Sequence, residues 1–126
     1  VGSIQTTASA TAYVTSSDYR LKDITGELTG YKERVMALQP KQGSWKVDGS
    51  EFRGFLAHEF ANQYPSLVSG EKDAIDKDGN PEYQGIDTSF LVATLTAAIQ
   101  EQQAIIQSQA DTISAMEARL TALENK

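Results

Sequence analysis

Ser17 and Lys22 place a hydroxyl and an amine five positions apart in the run Ser17-Asp18-Tyr19-Arg20-Leu21-Lys22. That is the raw material of a Ser-Lys self-cleaving site. A serine hydroxyl is a weak nucleophile until a base removes its proton, and lysine serves as that base only as the free amine. Because an ordinary lysine titrates near pH ~10.4, deprotonating it at neutral pH costs roughly 4 kcal/mol unless burial or a nearby cation helps. Arg20 is a candidate cation, whereas Asp18 and Asp23 favour the ammonium form. An offset of five puts the two side chains on opposite faces of a strand and off any common helical stripe. They meet only across a turn or across a subunit boundary. On spacing alone, an exposed lysine beside a capping or phosphorylatable serine is the commoner arrangement.

The elements that must position this pair differ sharply in character. Residues 1–17 are rich in Thr, Ser and Ala, with Ile4, Tyr13 and Val14 as bulky apolar side chains and Gly2 as an expected bend. Such a stretch favours extended backbone but has too little apolar surface for a stable sheet of its own. Intertwining with the same segment of other chains would supply neighbours; a disordered linker is the alternative.

Residues 18–90 read as a small mixed α+β core. Tyr31 to Leu38 puts Val35 and Leu38 on one helical face, stopped by Pro40 and Gly43. Gly43 to Ser50 reads as a short strand between turn residues, and Gly54-Phe55-Leu56-Ala57 as an apolar strand-like run. A short helix follows from His58 and must end before Pro65. Lys72 to Ile86 reads as a protruding hairpin arm with its turn at Asp76 to Pro81. Trp45, Phe52, Phe55 and Phe60 are expected as core or as rim contacts with fibre chains, and His58 as a hydrogen-bonded core or hinge histidine.

From Thr88 the chain lacks Gly and Pro to its end, and residues 91–126 form the coiled-coil segment. Val92, Ile99, Ile106, Ile113 and Leu120 at a place Leu95, Gln102, Gln109, Met116 and Leu123 at d, an unbroken seven-residue repeat. Ile at a without Leu at every d weakens the preference for two strands, and two Gln layers fix register, so a parallel trimer is expected. An amphipathic helix packed on its own domain is the alternative, but five heptads exceed what so small a core can cover.

Composition removes several function classes. A formal charge of −6 argues against a phosphate-binding surface, so nucleic acid is not expected as a ligand. There is no cysteine, hence no disulfide framework or thiolate metal site. No apolar run suffices for a membrane span, and no membrane partner is expected. Asp76-Lys77-Asp78-Gly79-Asn80 resembles the start of a calcium loop, but Pro81 stands where that loop needs Gly and Asp87 where it needs Glu. His58-Glu59 lacks the second His of a zinc helix. Neither a metal nor a cofactor is expected. The segment before Val1 is expected to belong to a larger protein.

Thr15-Ser16-Ser17-Asp18-Tyr19-Arg20-Leu21-Lys22 resembles the signature of the self-cleaving intramolecular chaperone domain at the C-termini of phage tailspikes, tail fibres and neck appendages, typified by endosialidase tailspikes. Gly54-Phe55-Leu56-Ala57-His58-Glu59 resembles that family's central apolar motif. Gly85-Ile86-Asp87, Leu91-Val92-Ala93-Thr94-Leu95 and Ile99-Gln100-Glu101-Gln102-Gln103 resemble its entry into the terminal helix. Together they span nearly the whole chain.

The resemblance implies a homotrimer that aligns three chains of an upstream triple β-helix fibre, of which residues 1–17 are the end, and then releases itself in the host cytoplasm during virion assembly. It implies Ser17 as nucleophile, Lys22 as general base and Ser17-Asp18 as the bond cut, with Ser16-Ser17 as the other candidate. A non-catalytic trimerisation cap is the first alternative. Eukaryotic membrane-tethered transcription factors that use a similar domain to release a DNA-binding fragment are the second.

Overall fold

Residues 2–126 are described by a computed structural model. A single uninterrupted helix, Leu91–Glu124, dominates it and spans about 50 Å. Its Ala- and Gln-rich sequence without Gly or Pro favours that length. Four residues near its start, Leu91, Thr94, Ala97 and Ala98, are buried against the rest of the chain. In the heptad these occupy c, f and g, so the buried face lies beside the a and d seam, which the domain touches at Gln102, whose Nε2 donates to Met36 Sδ at 3.6 Å. Small side chains there let the backbone approach closely. The helix begins at Leu91, three residues after Thr88, whose carbonyl accepts from the Leu91 N–H at 3.0 Å.

The rest of the fold is short antiparallel strands and single-turn helices, of which the helix Lys32–Met36 lies against that long helix. In chain order, β1 (Gly2–Thr6) and β2 (Thr11–Thr15) precede α1 (Lys32–Met36). β3 (Lys41–Ser44), β4 (Glu51–Gly54), α2 (Ala57–Phe60), β5 (Val68–Ser69) and β6 (Gly85–Ile86) lead to the long helix, α3. The core centres on Phe60, Tyr64 and Leu91, with Tyr31, Leu38, Phe55, Leu67, Val68 and Ile86 around them. Phe60 stacks on Tyr64 with ring centroids 5.4 Å apart and tilts against Phe55 at 5.1 Å. Because Phe60 is 1% exposed in so thin a core, Phe60→Ala is expected to cost about 3–5 kcal/mol, read as a lower urea midpoint.

Several local expectations are corrected. The strand expected over Gly43 to Ser50 stops at Ser44, and residues 45–50 are the tip of a β3–β4 hairpin. Asp48 Oδ1 accepts from the Ser50 N–H at 2.9 Å, and Gly49 takes φ 74°, so the tip turns where a strand would continue. The apolar run Gly54 to Ala57 leaves the sheet at Gly54 and starts α2 at Ala57. Trp45 is not in the core, being 54% exposed, and meets Phe52 edge-on at 5.3 Å. His58 is exposed and not a core residue. The arm is deeper than Lys72 to Ile86, since its ladder starts with Val68 opposite Ile86 and closes near the tip with Ile75 opposite Pro81.

Residues 2–15 pair within the single chain. They fold back as an antiparallel hairpin, Gly2 opposite Thr15 and Thr6 opposite Thr11, which places Gly2 within a strand and not at a bend. Thr7 closes the turn, its hydroxyl accepting from the Ala10 N–H at 3.1 Å. Every residue of both strands is exposed.

Candidate active site

The chain leaves β2 at Thr15 and reaches Ser17 in extended form, and Asp18 then reverses its course. Asp18 is the N-cap of a 3₁₀ turn over Tyr19–Leu21, its Oδ1 accepting from the Arg20 N–H at 2.9 Å. The Leu21 N–H donates to the Asp18 carbonyl at 3.1 Å and the Lys22 N–H to the Tyr19 carbonyl at 3.2 Å. This single turn absorbs the five-residue offset. Lys22 Nζ consequently lies 2.6 Å from Ser17 Oγ, within one chain. The turn that the spacing demanded is present, and no subunit boundary is needed for contact.

The bond as formed runs from the lysine nitrogen to the hydroxyl oxygen. General-base chemistry uses the same two atoms in the opposite sense, with the hydroxyl donating to a neutral amine. Both residues are exposed in the single chain.

Arg20 does not act as a free cation beside Lys22. Its Nε and Nη2 donate to Asp18 Oδ1 and Oδ2 at 2.9 and 2.8 Å, a bidentate pair that ties up both charges. The Arg20 side chain, and after it the Arg20 N–H, holds the Asp18 carboxyl below its ordinary range. A depressed carboxyl pKa stabilises the turn above the unfolded value and loses that contribution as pH falls through the folded one. Below about pH 4, the Arg20 and Leu21 amides are therefore expected to lose exchange protection, and Asp18→Asn should remove this acid step; NMR amide exchange across the range reads both.

Ser17, Asp18 and Lys22 are thus brought together, and the other candidates stand apart. His58 lines a separate charged cleft with Glu71, Lys72, Asp73 and Glu82 of the arm. Asp76 spends its carboxylate on its own loop, accepting from the Asp78 and Asn80 N–H groups at 2.8 and 2.9 Å. Among the described residues no group of three or more His, Asp or Glu side chains is placed to hold a metal. A larger aromatic cleft of about 530 Å³ between the β3–β4 hairpin and the arm, lined by Trp45, Phe52, Phe55 and Tyr83, contains no residue of the Ser17–Lys22 turn.

One polar residue that the sequence marks only as part of the helix-entry resemblance, without a role, makes a contact of its own. Glu101 of α3 accepts at Oε1 from the Gly30 N–H at 2.6 Å and the Tyr31 N–H at 3.2 Å, and at Oε2 from the Lys32 N–H at 3.2 Å. A carboxylate some seventy residues from the amides it caps leaves no local signature.

The seam residues stand open along α3. Val92, Ile99, Ile106, Ile113, Met116, Leu120 and Leu123 are each 55–69% exposed, and every residue of the helix beyond Glu101 is exposed, Gln102 touching the domain through Met36. No helix among the described residues is long and apolar enough to cross a membrane. Comparison of the chain with family models, characterised proteins and solved structures gives no match, so residues and geometry carry the functional reading.

Proposed function

We propose that the chain is a homotrimeric intramolecular chaperone that aligns an upstream fibre and then releases itself by Ser-Lys autoproteolysis. The 2.6 Å contact between Lys22 Nζ and Ser17 Oγ, built by the Asp18-capped turn, carries this reading. The resemblance of this stretch and of the helix entry to the phage tailspike and tail-fibre domain supports it, and with it assembly in the host cytoplasm.

Ser17 Oγ attacks a peptide carbonyl as Lys22 takes its proton. The C–N bond then breaks, the departing amine receives that proton from the Lys22 ammonium, and water hydrolyses the resulting ester. Attack of Ser17 on its own carbonyl closes a strained small ring, so a cut at Ser17-Asp18 draws the hydroxyl from a second chain. Attack on the preceding carbonyl is less strained and cuts Ser16-Ser17.

The open seam supports assembly. Over five heptads eight of the ten a and d residues are apolar and most of them stand exposed, and burying them takes other copies of the same repeat. The layers at Gln102 and Gln109 suit a registered parallel bundle. Three preassembled chains raise local concentration and fix alignment, which lowers the entropic barrier to winding strands of high contact order. Exclusion of water by neighbouring chains would supply the burial that a neutral lysine requires.

A non-catalytic cap is the second reading, favoured by the exposure of Ser17 and Lys22 in the single chain. Intact-mass measurement of the protein separates the two: the proposal requires a fragment beginning at Asp18 or Ser17, and a chain that stays whole as a trimer supports the cap.

A further inference from the structure

We infer that Glu101 is a positioning residue for the Ser17–Lys22 pair, latching the segment that follows Lys22 to the helix that carries the trimer seam. The inference rests on reading Ser17 and Lys22 as the cleavage site. Residues 23–30 have no regular secondary structure and are exposed throughout, so no packed core fixes their course. Among the described residues, no hydrogen bond joins residues 16–29 to any other part of the chain, and the first anchor after the turn is the Gly30 amide. Immediately upstream is the exposed β1–β2 hairpin, which offers the turn no buried contact. The turn holds its own shape, and Glu101 sets where it sits.

The contact is specific on both sides. Gly30 takes φ 79°, a left-handed bend that aims the Gly30, Tyr31 and Lys32 N–H groups at one carboxylate; a Cβ there would meet nothing, so the demand is purely conformational. Three N–H donors on one carboxylate make a strong, directional tie. Glu101 is also the last residue of α3 that the domain partly covers, and it sits between Ile99 and Gln102 of the seam. Bundling of three α3 helices therefore fixes three Glu101 carboxylates, and through them three copies of the segment leading back to Lys22.

The test compares Glu101→Ala, Glu101→Gln and Gly30→Ala in the full chain, reading fragment appearance by mass, amide exchange over residues 16–32, and assembly by sedimentation. Glu101→Ala is expected to slow cleavage about 10- to 100-fold and to raise exchange in this segment with assembly unchanged. Glu101→Gln, whose amide oxygen still accepts, should regain part of the rate. Gly30→Ala, which alters the bend without touching the helix, should slow it too. Wild-type rate and protection in Glu101→Ala would overturn the inference, as would a Glu101→Gln no faster than Glu101→Ala. Should Glu101→Ala fail to assemble, Gly30→Ala decides, a slowed trimer supporting the latch and a wild-type rate refuting it. If the unaltered chain never cleaves, the peptidase reading falls by itself. Exchange then still decides the latch, faster exchange over residues 18–30 in Glu101→Ala supporting it and unchanged exchange overturning it.

Discussion

Ser17→Ala is expected to leave the chain whole, with fragment formation reduced by a factor on the order of 10⁴ or more, as happens when a nucleophile is removed from a unit that acts together. The hydroxyl is the only part lost. Its contact partner is Lys22 Nζ and neither residue belongs to the core, so folding and assembly should be untouched. Lys22→Ala should give the same block by a different route, since the hydroxyl remains but has no acceptor for its proton. Lys22→Arg is the sharper comparison: it keeps a cation near Ser17 but cannot be deprotonated, and should be as inactive as Lys22→Ala. Intact mass after expression reads all three. Cleavage retained in Ser17→Ala would remove the proposed nucleophile.

Ile106→Asp should convert the assembly to single chains without unfolding them. Ile106 lies beyond Glu101, is 55% exposed and takes no part in the core cluster, so its own domain loses nothing. In a three-stranded bundle the same change removes three apolar side chains from one a layer, about 3 kcal/mol or more of burial, and puts three carboxylates in their place. Like charges brought together away from water cost more still. Sedimentation should give the mass of one chain, circular dichroism should keep the signal of the small domain, and cleavage should stop although Ser17 and Lys22 are intact. A folded single chain that still cuts itself would separate the chemistry from assembly.

How far the sequence disclosed this arrangement depends on how each element signals itself. The long helix was legible because its apolar residues repeat every seven positions for five turns of the pattern, a signal no short-range effect disguises. Its second face was not: Thr94, Ala97 and Ala98 bury well because they are small, and small residues contribute little to an apolar period. The Ser17 and Lys22 types were legible, and so was the need for a turn between them. That Asp18 would cap it, and in doing so pair with the Arg20 side chain, requires coordinates. The hairpin tip at Trp45 to Ser50 reads as strand in the sequence because Trp45 and Val47 favour extended backbone; the local bonds of Asp48 and the left-handed Gly49 outweigh them. The fold-back of residues 2–15 has no Gly, Pro or Asn at its turn, and a threonine hydroxyl does that work instead. Glu101 shows the limit of reading along the chain, since its three partners lie in the segment opposite and only packing brings them within reach.

The central claim is that assembly through α3 switches on the chemistry at Ser17. The most direct measurement is the rate of fragment formation as protein concentration is raised across the range where sedimentation shows single chains becoming trimers. The rate should climb with the trimer fraction and level off once assembly is complete. A rate that is already full where only single chains sediment would contradict the account.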